Sequence, residues 1–176
     1  MHTRRVEYRG FRRDDGLWDI EGTLHDSKPH SFEIEGEGRW APNEPVHHMR
    51  IRVTLDAAMV VQAIEAVMDS HPHAPCPQAL APMQRMVGTR MGGGWRRAIE
   101  QHLGAIQGCT HLRELLYNMA TAAFQTMAEV SFATPDDGRP PPHLGKCLAW
   151  DFDGPVTEKV YPMFFRWRAP ATPQRA

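Results

Sequence analysis

The chain has little of what would assign it to a class at once. It contains no apolar run approaching the ~18 residues of a membrane-spanning helix. Its opening, Met1-His2-Thr3-Arg4-Arg5-Val6, lacks the apolar core of a secretory signal. The expectation is a cytoplasmic protein with no membrane partner. The formal net charge is only -1, so no global field draws it to nucleic acid. Cysteine is scarce. Cys76, Cys109 and Cys147 are odd in number and far apart, which fits reduced thiols better than a disulfide framework. No Gly-x-Ser-x-Gly elbow is present, which argues against a standard serine hydrolase. Gly92-Gly93-Gly94 lacks the Lys-Ser/Thr of a phosphate loop and the spacing of a dinucleotide fingerprint, so it reads as a hinge.

What is present is hydrophobic patterning. Within 176 residues, 10 methionines and 5 tryptophans suit an adaptable apolar interior or a pocket for a greasy or aromatic ligand. The length predicts one domain over 1–168, with 169–176 a disordered tail. Residues 4–56 read as β structure. Trp18, Ile20 and Leu24 alternate with Asp19, Glu21 and Thr23, and Ser31–Glu35 alternates again, which predicts a hairpin between the two segments. Gly36 to Pro45 reads as a loop. Met49, Ile51, Val53 and Leu55 form the core face of the clearest strand, with His48, Arg50, Arg52 and Thr54 turned away. Asp56 predicts the N-cap of a helix over 57–68, buried through Met59, Val60, Ala63, Ile64 and Val67. Further helices are expected near 83–87, over 95–103 ending at Gly104, and over 110–130 with Leu112, Leu115, Leu116, Met119, Ala123 and Met127 as its stripe. A C-terminal β-hairpin is expected, pairing Lys146–Asp151 with Val156–Tyr161. Strands, then helices, then a hairpin predict α+β: an antiparallel N-terminal sheet packed on a helical segment.

Several segments together resemble a bacterial family known as a domain of unknown function, number 2889. They are Arg12-Arg13-Asp14-Asp15-Gly16-Leu17-Trp18-Asp19-Ile20-Glu21-Gly22, His48 to Asp56, Gly94-Trp95, Gly108-Cys109-Thr110-His111-Leu112-Arg113-Glu114-Leu115-Leu116, and Cys147 before Tyr161-Pro162. The resemblance covers roughly 4–165. The family pattern places a histidine after the C-terminal cysteine, where this chain has Leu148. The resemblance brings no activity with it, so chemistry has to be read from the residues.

Three constellations carry chemistry. The first is Cys109, His111 and Glu114 at a predicted helix start, where His111 and Glu114 share a face and anions are favoured. These three are candidate metal ligands for zinc or iron, with Cys76, Cys147, His71 or His73 completing the shell. The competing reading is a small buried thiol and a capping histidine. The second is the polar sheet face. Asp19, Glu21 and His48 are candidate acids or bases, and Tyr8, Arg12, Trp18, Arg50, Arg52 and Trp95 are candidate substrate contacts. Its competing reading is a solvated face of weak ion pairs. The third is His71-Pro72-His73-Ala74-Pro75-Cys76, a metal-like run that reads more simply as a surface loop.

These constellations predict a small enzyme. It would perform acid–base chemistry, lyase- or hydrolase-like, with or without a metal, on a hydrophobic or aromatic molecule bearing an anionic group. Asp19, Glu21, His48 and His111 would move protons, and Arg50 and Arg52 would hold the anion. The alternatives are a thiol- or metal-binding scaffold using Cys76, Cys109 and Cys147, or a protein-interaction module. A homo-oligomer is compatible with each.

Overall fold

The computed structural model describes residues 1–135 and 137–168; the tail 169–176 lies outside them. Chain contacts form two compact units, Met1–Met127 and the segment from Ala128 onward. The first unit carries a four-stranded antiparallel sheet. It is built from β1 (Thr3–Arg12), β2 (Trp18–Ser27), β5 (Pro45–Leu55) and β6 (Val61–Ser70), in the order β1-β2-β5-β6. Between β2 and β5 the chain makes a small separate hairpin, β3 (Phe32–Ile34) with β4 (Gly38–Trp40), closed by stacked Phe32 and Trp40 rings. The expected pairing of β2 with 31–35 is therefore replaced: β2 pairs with β1 and β5, and 32–34 pairs within the segment read as a loop.

Strict alternation sets the two faces. On β2, Trp18, Ile20 and Leu24 are buried, and Asp19, Glu21 and Thr23 are partly exposed. On β5, Met49, Ile51, Val53 and Leu55 are buried, as expected. The predicted helix over 57–68 is instead strand β6. Asp56 does cap backbone amides, but those of Ala58 and Val60 at 2.9 Å in a tight turn into β6. The misleading spacing has a physical source. Leu55 pairs with Val61 and Thr54 with Ala63, so Gln62 is a bulge residue, and Val61 and Ile64 both face inward three positions apart. That is helical spacing produced by a strand irregularity.

Helix α2 (Thr110–Thr126) covers the inner face of the sheet over β1, β2 and β5, and α1 (Trp95–Leu103) packs against α2 and the 3-10 turn Ala81–Met86. α1 buries Trp95, Ile99 and Leu103, spaced one turn apart. α2 buries Leu112, Leu115, Leu116, Met119 and Ala123. Each large apolar side chain so buried contributes about 1.5–3 kcal/mol. α2 approaches β2 closely because Gly22 has no side chain: a Cβ there would lie 2.8 Å from Met119 Cε and 3.2 Å from Leu115 Cγ. Two polar anchors fix its position. Tyr8 Oη donates to the Leu115 carbonyl at 2.9 Å, and Trp95 Nε1 donates to the Leu116 carbonyl at 2.8 Å.

The second unit begins with α3 (Ala128–Ser131) and includes α4 (Pro155–Val160). The α+β class holds for the molecule, but the expected C-terminal hairpin does not form: residues 148–150 are a 3-10 turn and 155–160 a helix. Pro155 explains this. It suits the first turn of a helix, where no N–H is needed, and cannot donate to a strand ladder. The unit buries His143 among the rings of Phe132, Trp150 and Tyr161, at centroid distances of 4.5, 4.6 and 5.4 Å.

Candidate carboxylate–histidine site

The apolar rows of β2 and β5 end in polar residues that keep the same phase. On β2 the row Trp18, Ile20, Gly22, Leu24 continues to Asp26, and on β5 the row Leu55, Val53, Ile51, Met49 continues to His47. Asp26 and His47 are cross-strand partners, and Arg4 of β1 is the partner of Asp26 on its other side. Beside them the register shifts, with Ser27 opposite Pro45, so Val46 is an extra residue. A bulge of this kind bends a strand and re-aims side chains at the end of a ladder. The first turn of α2 brings His111 and Glu114 to the same place.

The result is a dense polar cluster at the edge of the apolar core. The Asp26 side chain is 2% exposed, that of His47 14% and that of His111 25%. Arg4 forks the carboxylate, Nε to Oδ1 and Nη2 to Oδ2, both at 2.8 Å, and its Nη1 reaches Glu114 Oε2 at 2.6 Å. His47 Nδ1 lies 3.0 Å from Asp26 Oδ2, His111 Nε2 3.9 Å from the same oxygen, and His2 Nε2 3.1 Å from Oδ1. The His47 and His111 rings are 3.9 Å apart, centroid to centroid. On its other nitrogen, His111 Nδ1 is 3.7 Å from Cys109 Sγ.

The electrostatics follow from this packing. Burial alone would raise the pKa of Asp26, but the Arg4 fork and the bond to His47 outweigh it and hold the carboxyl below its usual range. Burial lowers the pKa of His47, and the neighbouring His111 lowers it further, against the pull of Asp26. Burial also lowers that of His111, and Arg4 adds to it. At neutral pH the Asp26 carboxylate is therefore ionised and the His47 and His111 imidazoles are neutral, and the His47 contact to Asp26 is a hydrogen bond rather than an ion pair. Neutral imidazoles can accept a proton or bind a metal; imidazolium can do neither.

Two hollows adjoin the cluster. Asp26 and His47 line a cavity of about 330 Å³ together with Lys28, Phe32, Ile34 and Val46. Cys109 and Cys76 line a separate groove of about 600 Å³ with Arg85 and Ile106.

The residues expected to act from sequence are distributed differently. His111 joins the cluster, and Glu114 supports it through Arg4. Cys109, His111 and Glu114 do not close on one point: Glu114 binds Arg4, and Cys109 touches the far nitrogen of His111. Asp19 accepts from Thr54 Oγ1 at 2.7 Å, Glu21 is held by Arg52 at 2.6 Å, and Arg50 by Asp69 at 2.9 Å. His48 Nδ1 faces Asp69 at 3.5 Å. Glu21, Arg50 and Arg52 border a hollow of about 120 Å³, below the roughly 300 Å³ of ordinary ligand sites. Trp18 and Trp95 are core residues, and Tyr8 anchors α2, with burial pushing its pKa up to about 12. Arg12 lies at the opposite end of β1 from Arg4. His71 and His73 bond a backbone carbonyl and Glu37 respectively. Among the described residues, Asp26, His47 and His111 are the metal-ligand types whose donor atoms come within 4.8 Å of one another. Sequence reasoning missed Arg4, Asp26 and His47. The available signal was polar residues in phase with an apolar row.

A family model described as Protein of unknown function (DUF2889) matches residues 2–125. The chain belongs to that family. Neither a curated protein nor a solved structure matches it. The DUF2889 match contains every residue of the cluster and ends before Cys147 and Tyr161-Pro162, short of the span to residue 165 expected from sequence. No helix among the described residues is long and apolar enough to cross a membrane.

Proposed function

We propose that the protein is an enzyme performing acid–base chemistry, hydrolytic or eliminating, at the Asp26–His47–His111 cluster. Its substrate is a hydrophobic or aromatic molecule with an anionic group. The observation that carries this reading is the shared wall: the buried carboxylate and the neutral His47 line a cavity that also has apolar sides. Phe32, Ile34 and Val46 offer contact for an apolar body, and Lys28 offers a cation for an anionic group. Glu33 also lines the cavity and disfavours an anion placed beside it. His47 accepts the proton, Asp26 orients the imidazole and stabilises its charged form, and Arg4 keeps Asp26 ionised. The test is turnover of a panel of aryl esters and β-hydroxy aryl carboxylates. His47→Asn is expected to lower kcat by about 10²–10⁴-fold, the usual contribution of a positioned acid or base. Lys28→Met is expected to act on KM. Turnover undiminished in both His47→Asn and Asp26→Asn would sink the reading.

A second reading has its own observation. Cys76 and Cys109 line one groove, and Cys109 touches His111. Two thiols facing one hollow suit thiol handling there, and modification of both by a groove-sized maleimide, blocked by a competing ligand, would favour it. Cys147 belongs to the second unit and is exposed.

A further inference from the structure

We infer that Asp26, His47 and His111 form a binding site for one divalent transition-metal ion of the zinc(II)/iron(II) class. The inference rests on the proposed function for its location alone: with the ion bound, His47 Nδ1 and Asp26 would be ligands, and the proton-accepting role would pass from the imidazole to a water in an open position of the ion.

The argument is geometric. Donors bound to one such ion at about 2.0–2.2 Å stand roughly 3.0–3.7 Å from one another. Around Asp26 Oδ2 the two imidazole nitrogens lie at 3.0 and 3.9 Å, on either side of that spacing. The 3.9 Å separation is too long for a hydrogen bond. Both imidazoles thus converge on a single carboxylate oxygen, and only one of them is bonded to it.

The donor types select the metal. Two imidazoles and one carboxylate suit borderline first-row ions, whereas magnesium and calcium prefer all-oxygen shells. Three protein donors also leave positions for water or substrate, as catalytic sites require. Outer contacts hold the donors in place. Arg4 orients the Asp26 carboxylate, and Cys109 engages Nδ1 of His111, leaving Nε2 toward Asp26. Local charge permits a cation: Asp26 and Glu114 supply two carboxylates against the single guanidinium of Arg4. His2 Nε2, 3.1 Å from Asp26 Oδ1, is a neighbouring imidazole, so the N-terminus must be native in any test.

The experiment is zinc(II) and cobalt(II) titration of chelator-stripped, untagged protein, read by competition with a chromogenic chelator and by the cobalt spectrum. The expected result is one equivalent per chain. Affinity should fall at least 100-fold in Asp26→Asn and in His111→Gln, and be kept in Glu21→Gln. Because Asp26→Asn also releases Arg4 and could misfold, the wild-type cobalt spectrum is a second measure: visible bands without an intense sulfur-to-cobalt band are expected. An intense sulfur band, or affinity lost in Cys109→Ser but kept in Asp26→Asn and His111→Gln, would move the ion to the thiol groove and overturn the inference. Absence of stoichiometric binding would overturn it too. In that case, turnover that still depends on His47 would leave the acid–base reading standing.

Discussion

Glu21 and Asp26 lie on the same strand and meet arginine in much the same way. Glu21 accepts from Arg52 at 2.9 and 2.6 Å, and Asp26 accepts from Arg4 at 2.8 Å twice. They differ in phase. The odd-numbered position of β2 turns to solvent and leaves the Glu21 side chain 34% exposed; the even-numbered one turns to α2 and leaves Asp26 2% exposed. On the outer face the pair is one of several exchanged among Glu21, Arg52, Glu65, Arg50 and Asp69, screened by water and worth little individually. On the inner face the same chemistry becomes a costly, directed arrangement, because an unpaired buried charge has no water to fall back on. Phase relative to the core decides which carboxylate stays at the surface and which is buried within the cluster.

Four changes would break or sharpen that contrast. The largest effect is expected from Asp26→Ala, which strands Arg4 and two imidazoles. Chemical denaturation should show a loss of about 3 kcal/mol. Next, Gly22→Ala puts a methyl group against Met119 and Leu115 between the two faces, and should cost about 1–3 kcal/mol by overpacking. An unchanged midpoint would mean that α2 does not dock as described.

The third concerns pH. His47 and His111 have pKa values below 6.5 in the fold, so as pH drops through 6.5 the unfolded chain takes up protons that the folded chain does not. Unfolding then binds protons, and stability falls with falling pH. Asp26, also lowered, adds a loss of the same sign once pH drops through the carboxylate range. The thermal midpoint should fall on the order of a few degrees between pH 7.5 and 5.5. A His47→Gln, His111→Gln double variant should flatten that slope. The smallest effect belongs to the outer face. Glu21→Gln with Arg52→Gln should change stability by less than ~1 kcal/mol and leave turnover on the ester panel unaltered.

Much of the fold was legible because its signals are local. The phase of β2 and β5, the span of α1 and the stripe of α2 follow from spacing alone, and the α+β class follows from their order. The failures have specific causes. The bulge at Gln62 gives β6 a helical spacing, and Pro155 starts a helix in a segment whose alternation reads as a strand. Strand β2 alternates well enough to suit any neighbour, so alternation alone does not select the hairpin partner of 32–34. The site was half legible. The segment from Cys109 to Glu114 stands out in the sequence, and His111 is the member of it that joins the buried cluster. Asp26 and His47 extend the apolar face of their strands, so the polar face, where titratable groups are dense, does not point to them. Arg4 could not have been found without knowing that β1 pairs with β2.

That last pairing has a consequence for how the site is held. β1 is an edge strand, exposed along nearly its whole length, yet it carries the guanidinium that clamps the most buried carboxylate in the cluster. Edge strands are among the first elements to open in local fluctuations. When β1 peels away, Asp26 loses its clamp and α2 loses the Tyr8 anchor. The charge state of the cluster is thereby tied to the attachment of the sheet's outermost strand. In hydrogen exchange, the amides of β1 should act as the latch whose opening reports on the site.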